Sequence, residues 1–277
     1  MRRAIICALA LSGSGCMNLD FVVLDGEDVD EPNSADAAGY ELSRDIIADQ
    51  YIEEITFQST DGTLLTGVWA THDEPKPPLI YFHGNTNHLG RYWHWIELYW
   101  QWDTHDIFIF DYRGYGKSEG SSTYDIIEED GLAAVGYVSD HTGTAPEDIP
   151  MIALSLGASV LVHTNDEIGA QSIIIHDMFL STTASGNDGT GLDLPNGWLF
   201  ASDFDNGTAV QDIQSPIFVI HGEADDYVQS KYATEVYDNA PDPKELWIPP
   251  GINHARIVDD IPDEYSDRAV EWLERWD

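Results

Sequence analysis

From residue 51 onward the chain is punctuated by short, uninterrupted apolar runs, at 79–82, 107–110, 151–154, 173–175, 217–220 and 246–248. Runs of this length without a polar face predict strands buried on both sides, as in a parallel sheet covered by helices. Between them, two stretches carry apolar residues at helical spacing. Ile127, Leu132, Val135 and Val138 mark one over 125–138; Tyr265, Ala269, Trp272, Leu273 and Trp276 mark the other over 263–276. Ahead of both, residues 52–58 and 64–71 flank Asp61-Gly62 and predict an antiparallel hairpin. Strands alternating with helices predict a doubly wound, mostly parallel α/β domain, whose site lies beyond the carboxyl ends of the strands. Residues 91–102 hold too many aromatics to face one sheet together. Most are expected in the core, and a minority lining a pocket or facing a membrane.

Polar residues stand at the ends of several runs: His83-Gly84-Asn85 after the first, Asp111 to Ser118 after the second, and Ser155 after the third. His221 to Asp225 follows the fifth run, and Pro250 to His254 the sixth. Ser155 sits where an apolar strand gives way at once to an apolar helix, which is the layout of a nucleophile elbow. The usual pattern there is Gly-x-Ser-x-Gly, because a strained serine backbone brings its neighbours too close for side chains. Gly157 keeps the second glycine, and Ala153 replaces the first with the smallest side chain. A serine hydroxyl needs a positioned base to become a nucleophile. Of the ten histidines, His254 is the candidate, in a loop between the last strand and the C-terminal helix. His83 and His221 precede glycines at strand ends and are read as structural.

With 277 residues the chain suits one large domain. A formal charge of −38 repels nucleic acid and anionic lipid, which disfavours a nucleic-acid role. Both cysteines, Cys7 and Cys16, precede residue 17, so the rest of the chain can form neither a disulfide nor a thiolate metal site. Arg2 and Arg3, an apolar run over 4–11, and small residues before Cys16 have the order of a secretory signal. Small residues directly before a cysteine resemble a bacterial lipobox, although Gly13 stands where leucine is usual. Residues 1–15 are therefore read as a signal peptide and Cys16 as a lipidated, membrane-anchored N-terminus in the cell envelope, with plain secretory cleavage and then an ordinary folded N-terminus as the alternatives. Residues 16–50 read as an acidic tether, with a folded N-terminal extension as the alternative, and 51–277 as the domain. A chain starting near Ala48 is accordingly expected to be soluble and fully active. Two other motifs fail on spacing. Gly116-Lys117-Ser118 imitates a P-loop whose first glycine would fall on Asp111, and Asp203 to Gly207 imitates an EF-hand whose glycine arrives early.

Serine, aspartate and histidine in that chain order are the order of triad partners in α/β-hydrolases. The chain resembles a serine-type α/β-hydrolase over about residues 51–277, and Asp111 to Gly120 is similar to the BEM46-like and ABHD-type lipid hydrolases. That resemblance implies Asp225 as the acid that orients His254, within Gly-x-x-Asp-x-x-Val from Gly222 to Val228. Asp177, after the fourth run, and Asp226 are the alternatives in that order. It implies an oxyanion hole from the backbone N–H groups of Asn85 and Leu156, and a small lid between Phe179 and Asn206. It also implies hydrolysis of lipid or small esters, or thioesters, through an acyl-serine, without metal or cofactor. A peptidase of the same fold and an inactive, surface-anchored binding protein are the alternatives; the intact serine, aspartate and histidine set disfavours the second.

Overall fold

A computed structural model describes residues 40–85, 88–185 and 204–276. Eight strands form one sheet: β1 Ile52–Gln58, β2 Leu64–Ala70, β3 Pro78–Phe82, β4 Asp106–Phe110, β5 Met151–Leu154, β6 Ile173–His176, β7 Ile217–Ile220 and β8 Lys244–Trp247. Their order is β1-β2-β4-β3-β5-β6-β7-β8. β1 pairs antiparallel with β2, and β2 with β4; every pairing from β4 to β8 is parallel. The expected hairpin and parallel sheet are both present.

Alternate residues of each central strand feed two separate cores. Ile80, Phe82, Phe108, Phe110, Met151, Ala153, Ile173 and Ile175 belong to one, and Leu79, Tyr81, Ile107, Ile109, Ile152, Leu154 and Ile174 to the other. Among the described residues, five helices of nine residues or more cover these faces: α1 Trp93–Gln101, α2 Tyr124–Thr142, α3 Leu156–Ile168, α4 Lys231–Asn239 and α5 Pro262–Glu274. Residues of α2, α3 and α4 pack into the first core, and those of α1 and α5 into the second. The sheet is thus doubly wound, which explains why its strands read as unbroken apolar runs. The aromatic stretch became α1, where Trp93, Trp95, Ile96 and Tyr99 are buried against Tyr265, Trp272 and Leu273 of α5. Among the described residues, no helix is long and apolar enough to cross a membrane.

The packed body reaches back before β1. Ile47 is fully buried, and Tyr40 is buried with its ring stacked on His88 at 4.3 Å. The Tyr40 hydroxyl donates to Asp111 Oδ2 at 2.9 Å, and the Trp93 indole donates to the Ser43 carbonyl at 3.1 Å. Residues 40–50, read from sequence as the end of the tether, are therefore part of the domain, because Ile47 and Tyr40 find apolar and acidic partners that composition does not reveal. Burying Ile47 alone stabilises by about 1.5–3 kcal/mol. A chain starting at Ala48 is expected to melt several degrees below one starting before Tyr40, with lower specific activity; equal melting curves would show the segment to be dispensable.

Candidate active site

Ser155 lies between β5 and α3 with φ 53° and ψ −110°, a conformation that costs an L-residue of order 1–3 kcal/mol. Two contacts hold it there. Its N–H donates to the His176 carbonyl of β6 at 2.8 Å, and the Ser159 N–H in α3 donates to its carbonyl at 3.2 Å. The small residues around it differ in necessity. A Cβ on Gly157 would fall 2.2 Å from the Phe82 carbonyl oxygen and 2.6 Å from that of His83, so only glycine lets α3 start this close to β3. Ala153 has room: its methyl is buried within the first core, which is why the other usual glycine can be alanine.

The first N–H groups of a helix have no partner within it. Leu156, directly after Ser155, is the first residue of α3. Asn85 lies in the bend after β3. The His83 imidazole, fully buried, uses Nδ1 to donate to the Gly84 carbonyl at 2.7 Å and so shapes the turn leading to Asn85. Burial pushes the His83 ring down to about 4, so at neutral pH it is an uncharged brace.

The stretch that carries the resemblance, Asp111 to Gly120, also braces this turn. Asp111, fully buried after β4, accepts from the Leu89 N–H at 2.6 Å, from Tyr40, and from the Lys117 N–H at 3.3 Å. Burial raises its carboxyl to about 7 despite those donors. Gly116 has φ 47°, and a Cβ there would lie 2.1 Å from Asp111 Oδ2, so this glycine is the floor of the carboxylate's cradle. Arg113 packs into the opposite side, with its Nε and Nη2 on Asp130, Nη2 on Ser59 and Nη1 on Asp61. The motif is scaffold for the loop after β3.

Asp225 and His254 are in direct contact: His254 Nδ1 lies 2.7 Å from Asp225 Oδ2. Asp225 follows β7, and His254 follows β8. The N–H groups of Tyr227 and Val228 donate to Asp225 Oδ1 at 2.8 and 2.7 Å. Burial opposes its charge, but hydrogen bonds from His221, His254 and the Val228 N–H hold its carboxyl well below the usual range. Ser155 stands at the same sheet edge, since β5, β6, β7 and β8 run parallel and adjacent. Its hydroxyl and the His254 ring are not hydrogen-bonded to each other; such bonds are often long in substrate-free enzymes. The Tyr227 ring, 64% exposed, lies 5.0 Å from His254.

The other two acids are placed differently. Asp226 is exposed, and its N–H donates to Asn253 Oδ1 at 3.1 Å. Asp177, buried after β6, does not reach His254; its oxygens accept from the backbone N–H groups of Gly222 and Ala255 at 3.0 and 2.8 Å. Ligand atoms of Asp177, His221 and Asp225 come within 4.8 Å of one another. The carboxylate oxygens are already taken by N–H donors, so this cluster is a hydrogen-bond network rather than a preformed cation site. Sequence reasoning read His221 as structural and offered Asp177 as an alternative acid; that Asp177 instead accepts from the backbone of both loops was missed, and the available signal was its position, directly at the end of β6. Of the expected lid between Phe179 and Asn206, residues 186–203, with Trp198, Leu199 and Phe200, lie outside the described residues, as do the signal, Cys16 and the tether up to residue 39.

The strand order, the two helical layers and the sharp turn at Ser155 define the α/β-hydrolase fold. The chain is similar to an esterase from Pyrococcus furiosus, Pf2001, at TM-score 0.72 and 23% identity, covering 88% of this chain and 99% of that one. It is similar to the esterase RhEst1 from a Rhodococcus species at TM-score 0.64 and 16% identity, over 81% and 99% of the two chains. Among sequences, it is 26% identical over 233 residues to the uncharacterized protein YfhR of Escherichia coli, covering 80% of each. It is 25% identical over 199 residues to human alpha/beta hydrolase domain-containing protein 17B, covering 72% of this chain and 66% of the human one. No family model matches the chain.

Proposed function

We propose that the chain is a serine hydrolase that cleaves carboxylic esters or thioesters of lipids or small molecules through an acyl-serine intermediate. Ser155 Oγ attacks the acyl carbonyl carbon while its proton passes to His254 Nε2. The imidazolium keeps its Nδ1–H on Asp225 Oδ2. Negative charge on the carbonyl oxygen is met by the N–H groups of Leu156 and Asn85. Collapse breaks the bond to the alcohol or thiol, which leaves with the proton from His254. Water then adds to the acyl-serine with His254 again as base, and the carboxylic acid departs.

The observation that carries this reading is the backbone of Ser155. A buried residue kept at φ 53° at the head of a helix is strain that packing alone has no use for. The esterase names of the structural neighbours agree with it. The test is a fluorophosphonate probe on the purified protein, followed by peptide mapping. A single adduct on Ser155 is expected, and a panel of p-nitrophenyl esters then ranks acyl chains. Absence of any adduct, with the protein folded, would end the serine-hydrolase reading.

We infer further that the enzyme is held at a membrane through lipidated Cys16. The domain's strong negative charge resists adsorption to anionic lipid, so attachment calls for acyl chains, and more than one, since a single chain binds only marginally. Intact mass of the mature protein is expected to show a diacylated or triacylated Cys16; an unmodified cysteine, or a start elsewhere, would remove the anchor.

A further inference from the structure

Behind the Asp225–His254 pair lies a second layer of buried polar groups that the reaction as written does not use. Asp177 comes from the loop after β6, while His221 opens the loop after β7. Both are buried. Asp177 takes the Gly222 N–H on one oxygen and the Ala255 N–H on the other. Gly222 stands three residues before Asp225, and Ala255 directly follows His254. One carboxylate thus ties the acid loop to the histidine loop. Asp177 and Ala255 both hold left-handed backbones, at φ 49° and 54°, and a non-glycine residue stays there only when its surroundings impose it.

His221 works on Asp225 itself. Its Nε2 is 2.9 Å from the Val228 carbonyl oxygen and 3.2 Å from Asp225 Oδ2. Both are acceptors, so Nε2 carries the hydrogen and donates to them. Nδ1 is buried without a partner. Asp225 Oδ2 is therefore shared by two imidazoles: His221 from behind and His254 in front.

Resting on the serine-hydrolase reading, we propose that Asp177 and His221 are positioning residues for the Asp225–His254 pair: Asp177 staples their two loops, and His221 fixes the Asp225 oxygen that His254 uses. Removing either displaces the base relative to Ser155 without removing any group that touches the substrate. Misplacement of about 1 Å in a reacting group costs about 10²-fold in rate. The loss belongs in kcat, not in KM.

The experiment compares the full chain with Asp177→Asn, His221→Leu and His221→Gln, measuring kcat, KM and thermal melting, with probe labelling of the unaltered protein alongside. Gln presents its amide N–H near the place of Nε2, whereas Leu only fills the volume. Expected are losses in kcat of about 10- to 100-fold for Asp177→Asn and His221→Leu, with little change in KM. Gln is expected to recover most of what Leu loses. If Asp177→Asn does not fold, the Gln and Leu pair decides alone. Equal activity of Gln and Leu, or a loss that falls in KM rather than kcat in the folded variants, would overturn the proposal while a labelled Ser155 leaves the serine-hydrolase reading standing. Failure of the unaltered protein to label would remove both.

Discussion

Replacing Ser155 with alanine is expected to leave the protein folded and to lower kcat for ester hydrolysis by about 10⁶, as loss of the nucleophile does in an unrelated serine protease. The fold should tolerate the change. The contacts that hold residue 155 at φ 53° are its own N–H to the His176 carbonyl and its carbonyl to the Ser159 N–H, and alanine keeps both. Alanine is also no more strained there than serine. What disappears is the one oxygen that can attack the carbonyl. The Leu156 N–H remains at the head of α3, so substrate binding and some polarisation of the carbonyl should survive. KM should therefore change little while turnover collapses. Labelling by the fluorophosphonate probe should vanish in the same variant. A mutant keeping about a tenth of normal turnover would mean that another residue attacks.

Much of this arrangement is legible in the sequence because its cause is local. A buried strand announces itself by unbroken apolarity, and the end of such a run marks the sheet edge where a ligand can sit. Ser155 followed by Leu156 and Gly157 reads as a turn because only glycine fits against the β3 carbonyls. The tether boundary was not legible. Tyr40 and Ile47 lie in an acidic, polar stretch without periodicity, and their burial depends on Asp111, His88 and the second core, all distant in sequence. The choice among acids was open for a similar reason. Asp177, Asp225 and Asp226 all follow strands, and composition does not distinguish a carboxylate facing an imidazole from one facing backbone N–H groups. Three-dimensional placement does: Asp225 alone of the three meets His254. It also shows Asp177, the first alternative acid in the sequence, tied to the backbone of both loops instead of to the imidazole.

Asp225→Asn is expected to lower kcat by about 10⁴, the size seen for the equivalent change in another serine protease. The geometry gives the reason. Four N–H groups converge on this carboxylate: Tyr227 and Val228 on Oδ1, His254 and His221 on Oδ2. An asparagine has one oxygen to offer. The two backbone donors cannot turn away, so the amide oxygen must take the Oδ1 place and the NH₂ group the Oδ2 place. That NH₂ donates to His254 Nδ1, which must then give up its hydrogen. The ring is left with its proton on Nε2, the nitrogen that has to accept from Ser155. The base is present but in the wrong tautomer. Folding should survive, since the backbone donors keep their acceptor and His221 keeps the Val228 carbonyl. Asp226→Asn, exposed one residue further on, serves as the matched control and should change kcat by less than about twofold. The comparison needs only steady-state ester hydrolysis and a melting curve for each variant. Near-normal turnover in a folded Asp225→Asn protein would show that His254 is oriented by something else, and Asp177 would be the carboxylate to test next.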